Sequence, residues 1–463
     1  MTEIARTSKK KEIDFTKGRP LKLILSFYWP LFLTSMLQQV YNFVDTMIVG
    51  RGLGDNALAA VGNMGSLFFL IVGFSFGLAN GFAVLIAQSY GAKDVEQLRH
   101  RFAATIELGA VLALILSTIS IIFLPDLLRF LNTDEMIIND SLKYGYVVFG
   151  GLPVGICYNI AGSVLRSLGD SKTPLNAIIA SSILNLSLDS LFILVLHTGV
   201  EGAAIATVIA QVVSVAICIN SLRQISMIKL SKEYFRNDFQ VFFELLKNGL
   251  PMAVMNSITA VGCMVVQAFV NGYGVVYTAS YAVCSRYLNL FMNPAGTAGN
   301  AITAYTSQNY GAREYQRIKE GIKVALKMVL VFYLLLGSLM IFFPAQLADI
   351  LLDGQEQIAL VCIFLPRCGI ALIFLNVLFV VRAAVQGMGK PMLPMISGIA
   401  EMFLRVFVIS FFIGKIGFKA TPYAEISAWL GALLINAYAL HVNLIPLLNK
   451  QSKLESTISE IQI

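Results

Sequence analysis

Charge is what this chain has least of. Only 13% of its 463 residues are charged, while 57% are hydrophobic. Soluble domains carry about 25% charged residues, so an ordinary water-facing globular surface is excluded. Histidine is scarce, with three scattered residues (His100, His197, His441). The six cysteines (157, 218, 263, 284, 362, 368) lie within apolar runs, without a CxxC or any metal-ligand spacing. They read as small core residues rather than a metal site or a disulfide framework. No GxxxxGK[ST] phosphate loop and no soluble domain are found, which excludes most enzymes and any pump carrying its own nucleotide site. The chain therefore reads as a non-enzyme that needs no cofactor. No cleavable leader is recognisable, because the first apolar run is too long and lacks a small-residue cleavage site.

What is present is apolar sequence in long runs. Twelve are long enough to cross a hydrocarbon core of about 30 Å. They lie at 22–49, 57–88, 102–124, 142–164, 174–196, 200–221, 243–270, 276–307, 321–343, 358–381, 392–414 and 424–447. The expected fold is an all-α integral membrane protein of twelve transmembrane helices. Residues 1–20 read as a basic tail, disordered or lying on the membrane surface. Residues 21–221 form a first half, 222–242 a polar linker, 243–449 a second half and 450–463 a polar tail.

The two halves are copies. Gln88-Ser89-Tyr90-Gly91-Ala92 returns 220 residues later as Gln308-Asn309-Tyr310-Gly311-Ala312. The same offset pairs Gly54 with Gly274, Gly169 with Gly389 and Pro174 with Pro394; Pro30 and Pro251 are one residue out. Six spans per half is an even number, so both halves, as six-helix lobes, share one orientation about a pseudo-two-fold axis along the membrane normal. A duplicated apolar unit is a transporter plan with the substrate site between the repeats.

The net charge of +7 follows the loops. The N-terminal tail (Arg6, Lys9, Lys10, Lys11, Lys17, Arg19, Lys22), the linker region (Arg223, Lys229, Lys232, Arg236, Lys247) and both loops after the repeated peptides are basic. The third-to-fourth loop sets Asp126, Asp134, Glu135 and Asp140 against Arg129 and Lys143, and the ninth-to-tenth has Asp349, Asp353 and Glu356 with no Lys or Arg; Lys415 and Lys419 are the outside exception. This alternation predicts a multi-pass plasma (inner) membrane protein with both termini cytoplasmic, and it argues against nucleic acid as a partner.

Polar residues inside the spans need a cause, since a charge at mid-bilayer costs on the order of 3 kcal/mol on insertion scales. In the first span Gln38, Tyr41, Asn42 and Asp45 share one helix face. In the fifth, Ser181, Asn185 and Asp189 do the same, and Thr207, Gln211 and Ser214 form a stripe on the sixth. Converging, the three stripes would make an oxygen-rich pocket for Na⁺ or for a proton. Otherwise they are interhelical glue. Pro30 predicts a bend in the first helix and is a candidate hinge. At the offset of 220 Asp189 meets Ile409 and Asn185 meets Arg405, so the second half lacks this set. It offers Asn256 in the seventh span, Arg286 in the eighth, and Glu401 with Arg405 at i, i+4. That pair is either self-neutralising or part of the cavity, and Arg286 either pairs with Glu401 or lines the cavity. Gly73, Gly77 and Gly81, four apart, predict a close helix approach.

Taken in order, these segments resemble the MATE family of multidrug and toxic compound extrusion transporters, over about residues 15–447. The resemblance rests on Trp29-Pro30 with Tyr41-Asn42-Phe43-Val44-Asp45-Thr46, the paired peptides, and Leu165-Arg166-Ser167-Leu168-Gly169-Asp170 before Pro174. Asn185-Leu186-Ser187-Leu188-Asp189 and Gly199-Val200-Glu201-Gly202-Ala203-Ala204 before Thr207 complete it. It implies two six-helix lobes in a V and efflux of drugs driven by a Na⁺ or H⁺ gradient. It also implies an N-lobe cation site at Asp45, Asn185, Asp189 and Thr207. The branch with an acidic residue in the seventh helix is not matched, because the run after Gly249-Leu250-Pro251 has none. The expectation is an antiporter, working as a monomer in the bilayer, that exports amphipathic, mostly cationic drugs in exchange for H⁺ or Na⁺. Abundant Phe, Tyr and Met suit an adaptable apolar cavity. The alternative is a flippase for a lipid-linked precursor. It would need a basic cavity, for which only Arg286, Arg367, Arg382 and Arg405 are available, opposed by Glu401. A receptor or scaffold would leave the acidic stripes and the duplication without a cause.

Overall fold

In hydrocarbon no water reaches the backbone, so every N–H and C=O of a crossing segment must be bonded within it, and helices result. A computed structural model describes residues 13–130, 133–235 and 238–461, and no strand occurs among them. Arg6, Lys9, Lys10, Lys11 and Arg236 lie outside the described residues, as do positions 462–463. The first half contains α1 (Pro20–Leu53), α2 (Asp55–Ala92), α3 (Val95–Phe130), α4 (Glu135–Gly150), α5 (Leu152–Ser167), α6 (Lys172–Asp189) and α7 (Gly199–Arg223). The second contains α8 (Phe239–Asn271), α9 (Val275–Gly311), α10 (Tyr315–Phe342), the short α11 (Pro344–Asp349), α12 (Gln355–Gly387), α13 (Met392–Ile416) and α14 (Ala420–Ile461). Among the described residues nine helical stretches are long and apolar enough to cross a membrane. The pair α4 and α5, bent by 45°, makes a tenth. One stretch, Met392–Lys453, has 62 residues and holds α13 and most of α14. At 37 residues α9 is long enough too, although more polar. Each half thus carries six spans.

The bend between α4 and α5 has a sequence cause. Pro153 has no N–H to offer the carbonyl of Phe149, and Gly150-Gly151 lies between them. The freed Phe149 oxygen instead accepts from Ser117 Oγ of α3 at 2.6 Å. By contrast, α1 runs unbroken through Pro30.

The chain forms two compact units, Ser26–Ala253 (with Ile13 and Asp14) and Phe15–Leu25 with Val254–Ile463. The division falls within α8 rather than in the linker expected at 222–242. The glycine stripe of α2 explains it. A Cβ on Gly77 would lie 2.5 Å from Ala253 Cα, and one on Gly81 would lie 2.3 Å from Gly249 Cα. Asn248 Nδ2 donates to the Gly81 carbonyl across this contact at 2.6 Å. A Cβ on Gly73 would meet nothing, so two of the three glycines make the approach. Gly81→Leu should destabilise the protein by about 1–3 kcal/mol through overpacking. Its melting temperature in detergent should drop by several degrees, while Gly73→Ala should match the parent. Equal melting of all three proteins would mean that this approach contributes nothing.

The repeats share turn geometry. Lys93 and Arg313, 220 apart, both take left-handed φ (58° and 60°), and their N–H groups bond Tyr90 and Tyr310 at 3.1 Å each. The repeated peptide has a further use in the second copy. Gln308 Oε1 accepts from Phe15 N–H at 3.0 Å. Asn309 Nδ2 and Arg317 Nη2 donate to the Phe15 carbonyl at 3.2 and 2.9 Å. Phe15 is fully buried and meets Tyr305 edge-on at 5.6 Å. The reading of residues 1–20 as disordered or surface-lying is therefore corrected for the segment from Phe15: an irregular backbone stays ordered because side chains fill its polar groups. Within the first unit Gly169, at φ 89°, leaves room for Ile13; its Cβ would lie 2.2 Å from the Ile13 carbonyl oxygen. The linker is likewise tied down, with Arg99 donating to the carbonyls of Met227 and Ser226.

Candidate functional site

In the first unit, helix periodicity puts Asn185 and Asp189 one turn apart on α6 and aims both inward; both are fully buried. Asn185 Nδ2 donates to Asp189 Oδ2 at 2.6 Å, and its Oδ1 accepts from the Thr207 N–H of α7 at 3.1 Å. The opposite amide orientation would offer only a 3.4 Å bond to Thr207 Oγ1. From α1, Asp45 brings its carboxyl into side-chain contact with that of Asp189. Tyr41, one turn earlier, reaches the Thr207 hydroxyl. The carboxylates each keep one buried oxygen, Oδ1 of Asp45 and Oδ1 of Asp189, that faces no donor.

Two bare carboxylates in contact repel, and a proton or a cation held between them removes the repulsion. The donor set fits either. Two carboxylates with the hydroxyls of Tyr41 and Thr207 offer a hard cation oxygen ligands only. No cluster of three or more His, Cys, Asp or Glu occurs among the described residues.

The predicted stripes converge only in part. Gln38 and Asn42 are exposed. Ser181 turns its hydroxyl to the Ile178 carbonyl, and Gln211 lies against Gly155 of α5. Ser214 bonds the Ala177 carbonyl at 3.2 Å and joins α6 to α7, the glue role. Tyr144 of α4 lies within electrostatic reach of both Asp45 and Asp189 and escaped the sequence reading, because a lone tyrosine in an apolar span has no periodic partner. Cys263 is exposed rather than a core residue.

The second unit holds a different constellation. Arg382 of α12 bonds Glu401 of α13, Arg405 lies 3.7 Å from Glu401, and Arg405 Nε donates to Glu425 of α14 at 3.0 Å. All four side chains are at most 10% exposed. Tyr281 of α9 donates to Glu425 at 3.4 Å, and Arg382 reaches Ser397, which also accepts from Asn436 Nδ2 at 2.7 Å. Two arginines and two glutamates alternate, so the quartet carries no net charge. Glu401 thus pairs with Arg382 and Arg405 and not with Arg286, which is exposed and forms no ion pair with a described residue. Glu425 was missed because it stands at the polar start of the last span. Asn256 sits half-buried on α8.

The MatE family profile matches residues 30–191 and 251–411, one copy in each half. The probable multidrug resistance protein YoeA of Bacillus subtilis is 32% identical over 362 residues, spanning 76% of this chain and 78% of YoeA. A FAD transporter of Shewanella oneidensis is 22% identical over 394 residues, spanning 83% of this chain and 86% of its own. The fold matches a solved outward-facing conformation of a multidrug resistance MATE family transporter of the MOP superfamily. That match has a TM-score of 0.85 and covers 96% of this chain and 99% of the other at 22% identity.

Proposed function

The chain belongs to the MATE family, whose members are multi-pass membrane transporters and not enzymes, and from that premise we propose that it is a cation-coupled multidrug exporter. It carries amphipathic, mostly cationic drugs and toxic organic molecules out across the plasma membrane by alternating access, in exchange for H⁺ or Na⁺. Both termini face the cytoplasm, as the basic loops favour, and the protein works as a monomer. The observation that carries the coupling is the contact between the Asp45 and Asp189 carboxyls, which is relieved by one proton or one cation. Asp45 rides on α1 and Asp189 on α6, so filling or emptying the site changes the force between two helices. Pro30, in α1, is the candidate hinge through which that change moves the helix.

The energetics suffice. One unit of ion gradient is worth about 1.4 kcal/mol, or tenfold in substrate concentration. Exchange of one cation for a singly charged cationic drug moves no net charge, so that term acts alone. For a substrate of zero net charge, about 2.3 kcal/mol per 100 mV is added, and the gradient sustained rises to about 500-fold. The flippase reading loses support because Arg382 and Arg405 are neutralised by Glu401 and Glu425.

The test is efflux of ethidium from liposomes holding purified protein, with a pH gradient and a Na⁺ gradient imposed separately. Transport should follow one of them. A folded protein that moves no ethidium under either gradient would sink the exporter reading.

A further inference from the structure

The first unit contains a guanidinium without a counter-ion. Arg166 stands in the last turn of α5, half-buried, and no described carboxylate lies within ion-pairing distance of it. Its Nη2 donates to Ser163 Oγ at 2.7 Å, and that hydroxyl is spent in turn on Asn80 Oδ1 of α2 at 3.0 Å. The face of the guanidinium lies over the Phe76 ring, 5.8 Å from its centroid. Gly162 makes the space: a Cβ there would stand 3.2 Å from Arg166 Nη1. The C-terminal end of the α5 dipole and the Phe76 face both favour positive charge here. Neither fills the in-plane N–H groups at Nε and Nη1. Asn80, with its oxygen committed to Ser163, adds an amide N–H₂ for which no described acceptor is present.

The other repeat shows what is missing. At the offset of 220, Gly162 corresponds to Arg382, Arg166 to Gln386 and Ser181 to Glu401. The second half therefore has its arginine one turn earlier and supplies a carboxylate for it, whereas the first half has an arginine and a serine in place of the acid. A guanidinium edge and an amide, donors only, are matched by an oxyanion, which takes two parallel N–H bonds.

We propose that Arg166 and Asn80 form a receptor for an oxyanion, a carboxylate or a phosphate, carried by the transported molecule. This rests on the transport reading and narrows it: substrates include zwitterions or anions and not cations alone. The same chemistry could come from a lipid phosphate, and the experiment separates the two.

Ciprofloxacin, a fluorescent zwitterion with one carboxylate, and its methyl ester, which lacks it, would be compared by binding to purified protein in detergent. Transport of both would be followed in liposomes with and without phosphatidylglycerol. The parent should prefer the acid, and Arg166→Gln should shrink the ester-to-acid ratio of Kd about tenfold or more, the loss expected for a charge-assisted bidentate contact. Arg166→Lys should retain part of the preference. Asn80→Ala, with the guanidinium in place, should shrink the ratio by a smaller factor and serves as the test if Arg166→Gln does not fold. If a lipid supplies the oxyanion, the ratio stays constant. Transport of both compounds by the parent then depends on phosphatidylglycerol, and in Arg166→Gln that dependence is lost. Variants with the parent's ratio and the parent's lipid dependence would overturn the receptor. Because binding in detergent needs no gradient, a parent that binds with this preference but transports nothing would count against the exporter reading alone.

Discussion

Asp45→Asn and Asp189→Asn are each expected to reduce gradient-driven efflux to the leak of protein-free liposomes while the protein still folds. The amide is isosteric with the carboxyl, so packing around α1 and α6 is kept. Asn at either position removes the repulsion between Asp45 and Asp189 permanently, and an amide can donate to the carboxylate that remains. The site then behaves as if always filled, and an exchanger that cannot empty its cation site cannot cycle. Relief of repulsion should leave the melting temperature unchanged or raised. Loss of efflux together with loss of folding would point to structural glue instead. Normal coupled efflux in either variant would refute the coupling role of the pair.

Glu401→Gln should be the most destabilising single change in the second unit, by about 3–5 kcal/mol, because it leaves two buried arginines facing one carboxylate. Arg382 loses its ion pair, and Arg405 keeps only Glu425. The double variant Glu401→Gln/Arg382→Gln removes one charge of each sign and leaves the 3.0 Å Arg405–Glu425 pair intact. Most of the lost stability should return, as read by melting temperature in detergent. Such a recovery would identify the quartet as a neutral structural clamp. If Glu401→Gln melts like the parent but uncouples efflux from the ion gradient, the clamp reading falls and the quartet joins the coupling machinery.

The sequence by itself determined the membrane setting, the duplication and the faces on which polar groups stand. Apolar runs of spanning length leave the backbone no choice but helix, and a 220-residue offset with left-handed turns at both Lys93 and Arg313 follows from repeating one unit. Helical period also put Asn185 and Asp189 on one face of α6, where they are found. Period fixes the direction of a side chain around its own axis but not the rotation or height of the neighbouring helix. Packing decided those. It brought Asp45 and Tyr41 to Asp189 and Thr207, turned the Ser181 hydroxyl to the Ile178 carbonyl, and put Tyr144 of α4 within electrostatic reach of both carboxyls. It also gave Glu401 its second partner, Arg382, 19 residues earlier, beyond the i, i+4 neighbour that spacing alone can show. Phe15 is the plainest case. A phenylalanine in a basic tail has no periodic context, and only the fold showed that Gln308, Asn309 and Arg317 satisfy its backbone and allow its burial.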